Sequence, residues 1–105
     1  MLGEFEQLVL LAIIRAGEDA YGVPIRHAIL DRAGRDVSLA AVYKTLTRLE
    51  EKGLVVARVG EPTPERGGRR KRYYTVTVAG RRSLRQSVEV LRRMTRGLDL
   101  GLETP

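Results

Sequence analysis

The chain has 105 residues, a formal net charge of +6 at pH 7 and no cysteine. This length allows one modest hydrophobic core and is too short for two, so we expect a single folded unit that gains stability from a partner subunit. The lack of cysteine excludes disulfides and thiolate chemistry and is typical of a reducing compartment. The excess of cations favours a polyanionic partner, either nucleic acid or a membrane surface.

The apolar run LVLLAII near the amino terminus is not typical of a targeting signal. It follows Glu4 and Glu6 instead of a basic segment, lacks a small-residue cleavage site after it, and is too short to span a bilayer. We therefore expect a cytoplasmic location. Arginine outnumbers lysine by sixteen to three. Genomic base composition can also produce such a skew, so the cations indicate a ligand only where they cluster.

Two helices are predicted before residue 34. The first covers residues 4–16 and is apolar almost all round, so it needs cover on more than one side. One side can face the domain core and the other a second chain. The second helix runs from about Val23 to Ala33, with Pro24 acceptable in its first turn and Gly34 as its end.

The third predicted helix lies in SLAAVYKTLTRLEEKGLV, residues 38–55. Ser38 is a typical N-cap, and Gly53 suits the left-handed position after a helix, with Leu54 folding back onto Leu49. Apolar residues recur at steps of three, four and three and form one inward stripe. The members of this stripe are Leu39, Val42, Leu46 and Leu49.

The rest of the chain predicts a hairpin and a closing helix. LVVARVG and KRYYTVTV are the expected strands, and EPTPERGGRR, with two prolines and two adjacent glycines, is the loop between them. A last helix is expected from Val78, or the residue before it, to about Leu98. The fold class is therefore mainly α with a small β-hairpin. We expect a winged helix-turn-helix over residues 1–77, a dimerisation helix over 78–98 and a flexible tail over 99–105.

The outward face of the third helix predicts DNA binding. An α-helix fits the major groove when its leading residues permit close approach, and alanine methyls can touch thymine methyls. Position 41, where a capping box places Glu or Gln, is alanine. Without an acid there, the helix dipole favours phosphate at this end. Tyr43 and Thr45 are expected on the flanks. The predicted DNA contacts of this helix are Ser38, Ala40, Ala41, Tyr43, Lys44, Thr47 and Arg48.

The predicted hairpin tip is a second cationic cluster. Residues 66–72, RGGRRKR, contain no acid, and the paired glycines let the backbone approach a phosphate ridge or insert an arginine into the minor groove. A solvated loop is the alternative for such a charge run, but a basic helix and a basic wing together favour nucleic acid. The predicted DNA contacts of this wing, residues 60–72, are Arg66, Arg69, Arg70, Lys71 and Arg72.

Three segments of the sequence resemble the PadR family of bacterial transcriptional regulators. They are LVLLAIIRAGEDAYGVPI in the first two helices, SLAAVYKTLTRLEEKGLV in the third, and GGRRKRYYTVTVAGRRSL from the wing into the closing helix. The resemblance covers about residues 3–98. It implies a homodimeric winged-helix repressor whose two recognition helices enter successive major grooves of a palindromic operator. The single closing helix resembles the short subfamily.

The resemblance also suggests roles for individual tyrosines. It places Tyr43 at the tyrosine of the family's recognition helix, which is often a backbone-phosphate contact, and it places Tyr21 and Gly22 at the start of the second helix. Tyr21 is thus a candidate DNA contact. Core or interface packing is nevertheless the more frequent role for such residues, and this applies to Tyr21 and to Tyr74 in the strand after the wing.

The closing helix and the outer side of the first helix predict a dimer interface. About twenty residues give a helix of roughly 30 Å, enough to cross a partner protomer. The alternative is that the helix folds back on its own domain. Its expected seam, at steps of four and three, consists of Leu84, Val88, Leu91, Thr95 and Leu98. The predicted interface residues are Leu8, Leu11, Leu84, Val88, Leu91, Met94 and Leu98.

A small hydrophobic effector is a further candidate partner. In some short PadR members a flat aromatic drug lies between tryptophans, but this chain has no tryptophan, so that mode cannot be transferred. Aliphatic residues at the dimer centre would have to line any pocket, although plain interface packing is the more frequent role of such stripes. The candidate lining residues are Leu8, Leu11, Val88, Leu91 and Met94.

Two other classes of function are alternatives. An enzyme would depend on His27, the only histidine, and on Asp31 four residues later. One imidazole without clustered ligands is a weak site, and the sequence has no phosphate loop, nucleophile elbow or zinc pattern. We therefore expect no catalysis, cofactor or metal. A winged helix can also serve RNA or protein contacts, since the fold does not dictate its ligand.

Overall fold

The regular elements follow one another in the predicted order. The computed structural model describes residues 2–61 and 70–101. Its elements are α1 (Glu4–Ala16), a 3-10 turn (Gly17–Asp19), α2 (Gly22–Ala33), α3 (Leu39–Glu51), β1 (Val55–Val59), β2 (Arg72–Val76) and α4 (Val78–Thr95). The strands form an antiparallel hairpin, so the predicted winged helix-turn-helix fold is confirmed. No helix in this part of the chain is long and apolar enough to cross a bilayer.

Local signals set both ends of α3 as predicted. The Ser38 hydroxyl accepts a hydrogen bond from the Ala41 amide at 3.0 Å. At the other end, Gly53 has a left-handed φ of 73°, and the Leu54 amide donates to the Leu49 carbonyl at 2.9 Å. The first interaction caps the helix and the second closes it, so the position of α3 in the sequence follows from short-range chemistry.

The core-facing side of α3 is shorter than the predicted stripe. Val42, Leu46 and Leu49 have no exposed surface and pack into the core, whereas Leu39 is 36% exposed. Leu39 is the first residue of α3, so it lies at the edge of the domain. The remainder of the core comes from α1, α2, the hairpin and the start of α4. Its other buried apolar residues include Val9, Leu10, Ile13, Ile25, Ile29, Val55, Val76 and Leu84.

The hairpin is joined to the helical part through β2. The Tyr74 amide donates to the Ala20 carbonyl at 2.8 Å, and the Tyr74 side chain is only 4% exposed. Burial raises the pKa of the Tyr74 hydroxyl. The core role expected for this tyrosine is therefore confirmed.

The start of α4 lies directly on the turn that follows α3. A Cβ at Gly80 would be 2.2 Å from the Leu54 carbonyl oxygen, so only glycine permits this approach. The Thr77 hydroxyl donates to the Gly53 carbonyl at 2.8 Å and accepts from the Gly80 amide at 3.0 Å. α4 is thus attached at the carboxyl end of α3, far from Ser38.

The far end of α4 differs from the prediction. The helix ends at Thr95 because Arg96 has a non-helical ψ of 130° and Gly97 has a left-handed φ of 78°. Leu98 therefore lies beyond the helix, and the predicted helical boundary at 98 is wrong by three residues.

Candidate nucleic-acid interface

The outward face of α3 is exposed, as the helical spacing predicts. Lys44, Thr47 and Arg48 lie in solvent on the side opposite the core, Ala40 is exposed near the amino end, and Ala41 is half-buried. Neither Lys44 nor Arg48 forms an ion pair with an acid among the described residues. The face thus has small residues at the amino end of α3, followed by two available cations.

The two flanks of this face differ. Thr45 is 6% exposed, so its predicted place on the flank is wrong: the rest of the domain covers that side of α3. Tyr43 is 39% exposed and lies against the first turn of α2. A Cβ at Gly22 would be 2.5 Å from the Tyr43 hydroxyl oxygen, so glycine at this position allows the tyrosine to reach α2. A phosphate contact by Tyr43 stays a prediction.

The amino end of α3 has the electrostatics of an anion site. Its first turn contains no acid, and Ser38 and Ala40 are exposed. The Ser38 hydroxyl accepts a hydrogen bond from the Ala41 amide. The amides that precede Ala41 in the first turn have no intrahelical acceptor. Phosphate is the kind of group that such amides and the positive end of the helix dipole favour.

Only part of the wing lies within the described residues. Arg66 and Arg69 fall outside them, while Arg70 is exposed beside the start of β2. The Lys71 Nζ lies 4.4 Å from the centre of the Tyr21 ring and donates to the Tyr21 hydroxyl at 3.4 Å. Tyr21 is half-buried. The structure therefore places Tyr21 as a support for a wing cation, and its own DNA contact stays a prediction.

Arg72 is paired within the domain. Its Nη2 donates to both carboxylate oxygens of Glu50, at 3.0 Å and 2.9 Å, and these hydrogen bonds to Glu50 raise the pKa of Arg72. This pair joins β2 to the last turn of α3. Arg72 was predicted as a DNA contact; the ion pair gives it a structural role as well.

Sequence reasoning missed Arg58 and Tyr73 at the base of the wing. The hairpin register places these two residues opposite each other, and the Arg58 Cζ lies 4.6 Å from the centre of the Tyr73 ring. The Tyr73 ring in turn meets the edge of Tyr21, with 5.6 Å between the ring centres. Alternation along both predicted strands was the signal for this pairing. Two tyrosines and two cations, Arg58 and Lys71, thus connect the hairpin to the start of α2.

A largely buried carboxylate holds the carboxyl end of α3 against α1. Glu6 accepts from the Lys52 Nζ at 2.7 Å and from the Gly3 amide at 3.0 Å. Burial acts to raise the pKa of Glu6, but the hydrogen bonds from Lys52 and Gly3 and the nearby charges of Lys52 and Arg48 outweigh it, so that this pKa is lowered. The pair fixes how α3 lies on the domain.

The residues predicted for a dimer interface fall into two groups. Leu11, Val88, Leu91, Met94 and Leu98 are between 41% and 70% exposed. By contrast, Leu84 is 7% exposed and belongs to the core of its own domain, and Leu8 is half-buried against that core. Leu84 therefore has little surface left for a second chain.

The comparisons with known proteins agree with this geometry. The profile described as the transcriptional regulator PadR-like family matches residues 10–86. A transcriptional regulator from Clostridium thermocellum has a similar structure, with a TM-score of 0.71 and 24% identity over 87% of this chain and 85% of that chain. A PadR family regulator from Clostridium difficile gives 0.70 and 23%, over 88% of this chain and 92% of that one.

A third solved structure has higher sequence identity. The PadR family transcriptional regulator from Eggerthella lenta is 27% identical, with a TM-score of 0.68, over 97% of this chain and 88% of that chain. A comparison with curated proteins gives no match. The family profile covers well over half of the sequence, so this chain belongs to the PadR-like family of transcriptional regulators, which are not enzymes.

Proposed function

We propose that the protein is a repressor that binds a palindromic operator in double-stranded DNA as a homodimer. In this proposal α3 enters the major groove, and the wing, residues 60–72, contacts the backbone or the minor groove. The observation that carries it is the outward face of α3, where Lys44 and Arg48 are exposed and make no ion pair with any acid in residues 2–61 and 70–101. A cytoplasmic location follows from this role.

The shape of α3 supports major-groove binding. Small side chains at positions 40 and 41 keep the amino end of the helix narrow, and the cations follow one turn later. Recognition helices read base edges with residues near their amino ends, while phosphate contacts fix their register. Arg48 and Lys44 can supply bidentate or single contacts to guanine, and Thr47 can reach either base type.

The aromatic cluster at the wing base supports a second contact. Tyr21 and Tyr73 hold Lys71 and Arg58 at fixed places beside α2. A cation held over an aromatic ring keeps its charge and loses little further side-chain entropy when it meets a phosphate. We therefore assign phosphate contact to Lys71 and to the exposed Arg70, with Arg72 acting mainly through its ion pair with Glu50.

Dimerisation is supported by a seam along α4, of which the domain itself covers only the first half. Residues on this seam recur at steps of four and three: Gly80, Leu84, Ser87, Leu91 and Met94. The first three are buried in their own domain, whereas Leu91 is 56% and Met94 70% exposed. The exposed apolar residues beyond Ser87 therefore need another surface to pack against, and a second copy of the chain provides one.

This seam shares Leu84 and Leu91 with the predicted seam, but its other residues after Leu84 lie one position earlier in the sequence. Ser87 and Met94 occupy it in place of Val88 and Thr95, since Ser87 is 1% exposed while Val88 is 41% exposed. Beside the seam, a groove of about 750 Å³ is bounded by Leu2, Leu54 and Val90 and by the charged residues Lys52, Arg85, Glu89 and Arg93. We assign the partner's α4 to the exposed part of the seam at Leu91 and Met94, and a small hydrophobic effector would have to lie beside it.

The test is selection of bound duplexes from a random DNA pool, followed by titration at several salt concentrations. We expect a palindrome whose half-sites lie about one helical turn apart. A dimer that contacts six to ten phosphates should give a log-log salt slope of about −5 to −9. Equal affinity for all sequences, a flat salt dependence or a preference for RNA would contradict the proposal.

A further inference from the structure

We infer that the arginine face of α4 is a second DNA-backbone site, separate from α3, through which an operator-bound dimer captures another duplex segment. This inference rests on the proposed function, because it concerns a dimer that already holds DNA. The arginine face is defined as Arg81, Arg82, Arg85, Arg92 and Arg93.

The five arginines are concentrated on one side of α4. At about 100° per residue they fall within an arc of about 120°. Glu89 is the only acid in α4. The buried and apolar face of α4 confines charged residues to the opposite side. On that side the five arginines share their arc with this single acid, which gives the arc a net charge of about +4.

The charges of this face are available. All five side chains are exposed, and Arg92 is the one member with an acidic partner in the described part of the chain, a pair with Glu89 at 3.4 Å. This pair is solvent-exposed on both sides and therefore weak. The face thus keeps nearly all of its positive charge for an external ligand.

The proposed dimer leaves the arginine face outside. The centre of the seam, which contains Leu84, Leu91 and Met94, lies about 160° around the helix from the centre of the arginine arc. A partner that packs on Leu91 and Met94 therefore leaves the centre of the arginine arc exposed. α4 also starts on the turn after α3, where the Thr77 hydroxyl donates to the Gly53 carbonyl. The arginine face therefore begins beyond the carboxyl end of α3.

The spacing of the charges matches a nucleic-acid strand. From Arg81 to Arg93 the helix rises about 18 Å, a length along which one strand of duplex DNA carries about five phosphates. The planar guanidinium group also binds phosphate oxygens in a bidentate manner. An anionic membrane is a poorer match, because a helix lying in a bilayer surface needs an apolar face directed into the lipid, and that face of α4 is the seam.

The experiment measures capture of a second duplex. The protein is first saturated with an immobilised operator duplex obtained by the selection described above, and a fluorescent duplex of unrelated sequence is then added. We compare wild type with Arg85→Gln/Arg93→Gln. The matched control is Arg15→Gln/Arg32→Gln, which removes the same charge from exposed positions on α1 and α2.

Wild type should retain the fluorescent duplex and release it as salt rises. The α4 double variant should retain at least about fivefold less, with operator affinity unchanged within about twofold, and the control should behave as wild type. An equal loss in both double variants would show bulk charge instead of a site. Loss of operator affinity in the α4 variant would show that α3 and the arginine face belong to one binding site. Either result overturns the inference.

The failure of this inference is distinguishable from failure of the proposed function. If wild type binds the operator but captures no second duplex, only the arginine-face site is wrong. If no operator is selected at all, the proposed function itself fails. Vesicles of phosphatidylglycerol and phosphatidylcholine are a parallel arm, and binding to these without capture of duplex would overturn the inference in favour of a membrane surface.

Discussion

The cations of α3 and those at the base of the wing have different surroundings. Lys44 and Arg48 are exposed and make no ion pair with a described acid. Lys71 lies over the Tyr21 ring, and Arg72 is held by Glu50. All four residues are cations in the sequence, but their partners distinguish two surfaces. The surface of α3 is available to a ligand, and that of the wing base also helps to hold the hairpin in place.

This difference shows that clusters of charge should be sorted by their partners before roles are assigned. An exposed ion pair contributes little to stability but keeps a side chain in place. A cation outside an ion pair is available to exchange its counterions for phosphate. We therefore expect α3 to read sequence and the wing base to position the domain on DNA, and each prediction below tests one part of this expectation.

The largest expected effect is the loss of the dimer, which would deprive both regions of their second copy. Leu91→Asp places a carboxylate on the exposed half of the α4 seam, where Leu91 is 56% exposed. We expect monomers by light scattering and at least about a 100-fold loss of operator affinity, since half-sites then bind separately. Arg82→Asp, on the opposite side of α4, is the control. A dimer that survives Leu91→Asp would place the interface elsewhere.

Lys44→Ala and Arg48→Ala should each weaken operator binding by about 1–3 kcal/mol if the side chains touch base edges. Their thermal stability should stay within about 0.5 kcal/mol of wild type, because neither side chain is buried. Fluorescence anisotropy with cognate and mutated operators separates base reading from general affinity. Wild-type affinity in both variants would show that the outward face of α3 does not read DNA.

Glu6→Gln should lower the free energy of unfolding by about 1–2 kcal/mol at pH 7, since the Lys52 ammonium then loses its charged partner. The pKa of Glu6 lies below its ordinary value of 4.5. The stabilisation is therefore complete above pH 4.5 and disappears as the pH falls through the folded-state pKa. Urea unfolding of both proteins at pH 7 and pH 3.5 measures this.

The difference in stability between wild type and Glu6→Gln should shrink at the lower pH. Operator affinity at pH 7, measured with folded protein, should change much less than in the α3 variants, because Lys52 is a paired cation. A stability gap that does not depend on pH would show that the carboxylate of Glu6 is not the source of the effect.

The smallest effect is expected within the wing base itself. Arg70→Gln should reduce the salt slope of DNA binding by about 0.9 per protomer, as for one phosphate contact. Arg72→Gln should reduce it by less than half as much, because Glu50 already neutralises Arg72. In Glu50→Gln the freed Arg72 should steepen the slope. Equal slopes for Arg70→Gln and Arg72→Gln would remove the distinction between paired and unpaired cations.

Short-range chemistry made the helical part of this fold predictable from sequence. The Ser38 cap, the left-handed Gly53 and the core stripe of α3 all depend on residues within one or two turns of one another. The early end of α4 was missed because the apolar spacing continues to Leu98 although Gly97 interrupts the helix. The burial of Ser87 was missed because the apolar spacing gives no sign that a polar residue of α4 faces the core.

The site was predictable in outline but not in its contacts. The outward residues of α3 follow from helical periodicity, which does not depend on the rest of the fold. The pairing of Arg72 with Glu50 spans 22 residues and that of Lys71 with Tyr21 spans 50. Both pairs depend on where the hairpin docks, so no local pattern could have indicated them.

Backbone amide chemical shifts of the isotopically labelled protein, recorded with increasing amounts of the selected operator duplex, test the central claim most directly. We expect the largest changes at residues 38–48 of α3, smaller ones near Arg70 and Lys71, and none in the buried half of α4. Unchanged amides along the outward face of α3, with DNA bound, would contradict the account.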